Sequence, residues 1–263
     1  MNFKALSFTF DGKPSELYNL YLIDFNGKGG LSTVENGSNI DVKMEFSARG
    51  SIAQMQGVTQ HEVLKFKLTF GSFYPLDRAD IDRISQWLFG HLQPKKLQII
   101  QDDMRETYYN CFLTNPKNVY IADMAYGVEC DVVCDSPFAY DRERKNIYKI
   151  GANPTNIIFN NQSSNNDYLY PIIWFQTTKA NARVKITNHT DNDYVVELTG
   201  LDNYESITMD STKGIITSST GKHRLGNTNY NFLRFLPNLN RLTVEGDIEE
   251  IVITYQNMRK VGG

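Results

Sequence analysis

Only one stretch of the chain has the period of a helix, and nearly all the rest alternates as β-strands do. That imbalance limits the available folds more than any other feature. Between Asp77 and Phe89 the apolar residues Ile81, Ile84 and Leu88 fall at i, i+3 and i+7, one face of a helix. Asp77 is the expected N-cap, with Asp80 and Asp82 in the first turn, where free amides and the helix dipole favour carboxylates. Pro75 restricts the backbone just ahead of it, and Gly90 is expected to stop the helix in the left-handed conformation. A solitary amphipathic helix has to bury its apolar face on a sheet, with Trp87 and Phe89 covering its flanks.

Around this helix the first half reads as strands. Phe3–Phe10 and Leu17–Phe25 are the first two, separated by the turn Asp11–Ser15. Ile40, Val42, Met44 and Phe46 alternate with charged residues, and Leu64, Phe66, Leu68 and Phe70 with Lys65, Lys67 and Thr69. Between them, Ser47–Glu62 is polar and punctuated by Gly50 and Gly57. It reads as a long hairpin tip, as an arm that leaves the body to meet another chain, or equally as a mobile loop. Strands Leu97–Gln101, Tyr108–Leu113, Val119–Ala122 and Gly127–Cys134 follow the helix, with Asp102–Glu106 as a hairpin turn. Pro137 and the charged run Asp141–Lys145 then end the alternation. The boundary falls there, giving domains 1–135 and 136–263.

The second half contains no helical pattern. Strands are expected at Asn146–Ile150, Ile157–Asn160, Tyr168–Gln176, Ala182–Asn188, Tyr194–Gly200, Glu205–Met209, Gly214–Ser218, Tyr230–Phe235, Asn240–Glu245 and Glu249–Tyr255. Short strands at this spacing predict a β-sandwich of the jelly-roll or galectin type. Pro171 confines its strand to an edge, a bulge or a strand start, and Gly246-Asp247 is expected to join the last two strands as a tight hairpin.

A search for chemistry returns no catalytic, cofactor-binding or metal-binding residues. His61, His91, His189 and His223 are scattered without metal-ligand spacing. Asp77, Asp80 and Asp82 are explained by the helix start, and Asp102 and Asp103 by a turn. Gly27–Ser32 lacks the spacing of a phosphate loop. Cys130 and Cys134 share an alternating face with Val128 and Val132, so these thiols and Cys111 read as reduced core residues. A net charge of −3 disfavours a nucleic-acid or anionic-membrane partner. The N-terminus carries no apolar signal-peptide core, and no apolar run approaches the roughly 20 residues of a membrane span. Three classes remain open on this basis: a structural assembly protein, a carbohydrate-binding protein and a β-sandwich glycosidase.

Several phrases in fixed order narrow the choice. They include Phe8-Thr9-Phe10-Asp11-Gly12, Leu17-Tyr18-Asn19-Leu20, Trp87-Leu88-Phe89 and Asp102-Asp103 before Tyr108-Tyr109. Further on come Pro171-Ile172-Ile173, Val184–Asn188, Glu197–Leu201, Asp210 with Gly214-Ile215-Ile216, and Phe235-Leu236-Pro237 before Leu242–Gly246. Together they resemble the distal tail protein of long-tailed, non-contractile bacteriophages, over nearly the whole chain. Where many relatives carry a glycine-rich phrase, this chain has only Arg49-Gly50. The resemblance implies a structural hub at the virion tail tip, made in the host cytoplasm, and no enzyme. The N-terminal β-sandwich or split-barrel domain, with one helix, would join a homo-hexameric ring around a channel through which DNA only passes. Its faces would meet the major tail-tube protein and a tail-associated spike or fibre protein. The C-terminal galectin-like domain would project outward, in several relatives to carry a receptor-binding protein. Galectins hold sugar with a His and Arg/Asn cluster and a stacking Trp. Here His223 and Arg224 lie in a glycine-flanked segment and Trp174 in an apolar run that reads as core. Protein docking through outer loops such as Gln162–Asp167 is therefore the expectation.

Overall fold

The computed structural model describes residues 7–23, 40–46, 53–60, 63–100, 106–151 and 153–260. The chain divides into two compact units, one running to Tyr140 and taking in Arg259 and beyond, the other Asp141–Met258. Among the described residues the architecture is mainly β with one α-helix, as the patterning predicts.

The first unit contains strands β1 (Phe8–Phe10), β2 (Lys13–Pro14), β3 (Tyr21–Leu22), β4 (Ile40–Phe46), β5 (Ala53–Gln60) and β6 (Lys65–Leu76). Helix α1 (Arg78–Phe89) follows, then β7 (Lys95–Ile99), β8 (Tyr109–Ile121), β9 (Met124–Cys134) and the short β10 (Ala139–Tyr140). Seven of these form an open antiparallel sheet in the order β2-β1-β7-β8-β9-β6-β3. Strands β4 and β5 pair only with each other, as a separate two-stranded ribbon. Part of the polar Ser47–Glu62 segment is thus a strand, returning against Ile40–Phe46.

Asp77 caps α1 as expected, accepting from the Asp80 amide at 2.7 Å. Asp80 answers by accepting from the Asp77 amide at 3.4 Å, a reciprocal box. The buried face differs from the expected one. Ile84, Trp87 and Leu88 are buried while Ile81 is only partly so, and Trp87 belongs to the core rather than a flank. The indole stacks on Tyr18 (4.0 Å between centroids) and Phe8 (5.9 Å), and its N–H donates to the Phe10 carbonyl at 3.1 Å. Gly90 does not adopt the left-handed conformation; its φ is −80°. It is glycine because a Cβ there would sit 2.6 Å from the Gln86 carbonyl oxygen. The His91 ring bonds the Trp87 carbonyl at 2.7 Å and closes the last turn instead. Since Asp77 holds the box and Asp82 is exposed, Asp77→Ala is expected to cost about 0.5–2 kcal/mol in urea unfolding, and Asp82→Asn about 0.3 kcal/mol. Equal effects would refute the cap.

Other local expectations are corrected. Leu17–Phe25 is not one strand: Ser15–Tyr18 forms a 3-10 turn, closed by Asn19 at φ 51°, and pairing begins at Tyr21–Leu22, Asp24 and Phe25 lying outside the described residues. The buried Ser15 side chain organises this turn, its hydroxyl accepting from the Phe8 amide at 3.3 Å. Tyr108–Leu113 and Val119–Ala122 are parts of the single strand β8. Asn115 at φ 54° and a register shift between Thr114 and Lys117 absorb Pro116 without ending the pairing with β9. The Gly27–Ser32 stretch, Asp102, Asp103 and His61 lie outside the described residues.

The second unit holds β11 (Arg144–Lys149), β12 (Thr155–Asn161), β13 (Ile172–Thr177), β14 (Ala182–Asn188), β15 (Tyr194–Leu201), β16 (Ser206–Asp210), β17 (Ile215–Ser218), β18 (Asn238–Gly246) and β19 (Ile248–Tyr255). A five-stranded sheet, β11-β19-β13-β16-β17, and a four-stranded sheet, β12-β18-β14-β15, share one apolar core. Phe159 of the four-stranded sheet packs edge-on against Tyr255 of the other at 4.8 Å. Two expectations fail here. Tyr230–Phe235 is an irregular segment apart from a bridge between Phe235 and Leu169. Gly246-Asp247 is no hairpin, because β18 and β19 lie in different sheets. Gly246 instead passes so close to β14 that a Cβ would meet the Arg183 carbonyl at 2.4 Å. Asp247 then donates its amide to that carbonyl at 3.0 Å and accepts the Arg183 amide at 3.1 Å.

Candidate interaction surfaces

Several of the aspartates and histidines have structural partners. Asp77 and Asp80 close the helix start, and His91 closes its end. His189 bonds Asp193 at 2.5 Å and the Thr243 hydroxyl at 2.7 Å. His223 is exposed. Among the described residues no group of His, Cys, Asp and Glu could hold a metal ion.

Arg224, beside His223, is the centre of the densest polar cluster. It is 6% exposed and faces Glu205, which is fully buried. Nε donates to Glu205 Oε1 at 2.8 Å and Nη2 to Glu205 Oε2 at 2.6 Å, with a further bond to Asp202 at 2.9 Å. Glu205 also accepts from the Asp202 amide at 2.6 Å and from the Ser218 hydroxyl. Burial alone would push its carboxyl up, but the Arg224, Ser218 and Asp202 bonds outweigh that and hold it down at about 2. This arginine is committed to the fold. Sequence reasoning missed the pair, since the two residues are 19 positions apart and neither carries a local mark of burial.

Trp174 requires a correction. It is half-buried on the outward face of the five-stranded sheet, while its neighbours Ile173 and Phe175 fill the core. The apolar run Ile172–Phe175 hides an ordinary two-residue alternation. Across the sheet Trp174 lies beside Val252, which is next to exposed Ile147, and beside Thr208. At one end of this unit the Arg234 guanidinium is held between the Tyr168 and Tyr194 rings, 4.3 and 4.1 Å from their centroids, while Nε donates to Asp191 at 2.7 Å. The Gln162–Asp167 loop is largely exposed, with Asn165 turned inward.

In the first unit, exposed apolar side chains gather at one end of the sheet. Phe73 and Tyr74 sit where β6 bulges between Gly71 and Leu76, and Tyr120, Ile121 and Met124 at the neighbouring β8–β9 turn. The ribbon places Met44 directly opposite Met55, 55% and 64% exposed.

Exposed apolar side chains thus stand at a sheet end and on the ribbon, while Arg224 and Arg234 are held by carboxylates within the second unit. The sequence comparisons give the class. A family model described as the N-terminal domain of phage tail proteins matches residues 3–136, and one described as the phage tail C-terminal domain matches 138–255. The chain belongs to this phage tail protein family. No curated protein matches it. Among solved structures it is similar to the Dit protein (gp 19.1) of phage SPP1, with a TM-score of 0.69 and 12% identity over 96% of this chain and 99% of that one. That structure is described as a paradigm of the hub adsorption apparatus in phages infecting Gram-positive bacteria. At this identity the likeness establishes a shared fold.

Proposed function

We propose that the chain is the hub protein at the distal end of a phage tail. Six copies close into a ring through the first unit, leaving a channel for DNA. One face of the ring meets the tail-tube protein and the other a tail-associated spike or fibre protein. The second unit, galectin-like in this reading, projects outward and docks another tail protein, such as a receptor-binding protein. The role is structural, with no enzymatic step.

The observation that carries this reading is the likeness in fold to the SPP1 hub protein along both chains. Surface features support it. A two-stranded ribbon is marginal alone in water and gains from a second surface to lie on. A heterologous contact repeated with the right rotation closes a ring. The net charge of −3 suits a lumen that must not trap DNA. For the second unit, sugar binding by Arg224 would require breaking its buried pair with Glu205, which favours protein docking over a glycan.

Each unit has its own hydrophobic core, so the two can be tested apart. Residues 1–140 are expected to show six times the monomer mass in light scattering, and residues 141–263 a single copy. A ring formed by the second fragment alone would overturn the assignment.

A further inference from the structure

We propose that Cys111 and Cys134 are a disulfide site, closing into a cross-strand bond when the protein meets a small disulfide oxidant while Cys130 remains a thiol. The proposal stands on strand register and does not depend on the hub reading.

Cys111 of β8 is directly opposite Cys134 of β9. The Cys134 amide donates to the Leu64 carbonyl at 2.9 Å, away from β8, while the Asp135 amide donates to the Asn110 carbonyl at 2.9 Å. The 110/135 position is therefore a hydrogen-bonded one, and 111/134 a non-hydrogen-bonded one. Such positions bring Cα atoms to about 4.5 Å and side chains closest together, inside the span a disulfide accepts. Both thiols belong to the same core cluster, so they leave their strands on the same face. Cys130 lies four residues from Cys134 along β9, about 13 Å, is displaced as far along the sheet from Cys111, which is opposite Cys134, and itself faces Leu68, so neither thiol is within disulfide span of it.

The chemistry balances with oxidised glutathione as the oxidant. One cysteine thiolate attacks a glutathione sulfur, forming a mixed disulfide and expelling one glutathione thiolate. The second cysteine thiolate then attacks the protein sulfur and expels the other. Two protein thiols lose two electrons and two protons; one glutathione disulfide becomes two thiols. Burial raises both cysteine thiols, Cys134 to about 12 and Cys111 further, so the closed protein reacts slowly and exchange proceeds through local opening.

The test uses the full-length reduced protein. A thiol-alkylating reagent first measures how long Cys111 and Cys134 take to become accessible, in urea below the unfolding transition if needed. A parallel sample is held with oxidised glutathione for longer than that time, quenched with acid, denatured, alkylated and mapped by mass spectrometry. The expected product has lost two hydrogens, carries an alkyl group on Cys130 only, and returns to three thiols with a phosphine reductant. Cys130→Ser should convert to the same extent, and Cys111→Ser and Cys134→Ser should not form the bond. Three alkylated cysteines, lasting glutathione adducts on both positions, or any link through Cys130 would overturn the proposal.

Discussion

Arg224→Ala is expected to destabilise the second unit by about 3–5 kcal/mol, because it leaves a fully buried carboxylate without its counter-ion. Glu205 would keep the Ser218 hydroxyl and the Asp202 amide, which cannot replace a bidentate guanidinium. Removing both charges with Arg224→Met and Glu205→Leu should recover much of the loss, since an apolar pair carries no desolvation penalty. Urea unfolding followed by circular dichroism measures all three proteins. A single-variant loss below about 1 kcal/mol would mean the cluster is wetter than its burial implies.

The same pair sets a pH dependence. Glu205 is held at about 2 in the folded protein against an ordinary value of 4.5. The unfolded chain therefore binds the proton first as pH falls. The stabilisation is complete above about 4.5 and drains away as pH drops toward 2, by up to about 3 kcal/mol from this group. In Arg224→Ala most of that slope should vanish.

Trp87→Ala carries the second large effect, about 3–5 kcal/mol from the first unit. The indole is 4% exposed, stacks between Tyr18 and Phe8, and bonds the Phe10 carbonyl. Truncation opens a cavity between helix and sheet and leaves that carbonyl short of a donor. Trp87→Phe should lose less, keeping a ring but not the hydrogen bond. The chain has two tryptophans, and Trp174 is half-exposed, so Trp87→Ala should also remove the bluer part of the emission. An unshifted spectrum with unchanged stability would contradict the placement of Trp87 in the core.

What could be read from the sequence was whatever is encoded locally. The helix announced itself through Asp77 and the spacing of Ile84 and Leu88, and most strands of the second unit through alternation. What failed was set by distant partners. Trp87 is core because β1 and the Ser15–Tyr18 turn reach it, and nothing in residues 77–89 records that. Strand β8 read as two strands, because a bulge with a left-handed asparagine ahead of Pro116 interrupts the alternation without ending the pairing. Trp174 was hidden among apolar neighbours, where hydrophobicity alone cannot say which face a residue takes. Gly246-Asp247 resembles a hairpin turn, yet its job is a close crossing from one sheet to the other. The interaction surfaces were the least legible, since an exposed Phe73 or Met44 has the same composition as a buried one.

Closure of this phage tail protein into the proposed six-fold hub is tested most directly by negative-stain electron microscopy of the purified full-length protein. Rings of six copies around an open central hole are expected, with a further lobe on the outside of each copy. A field of single particles or pairs without a hole, at concentrations where the protein is folded, would contradict it.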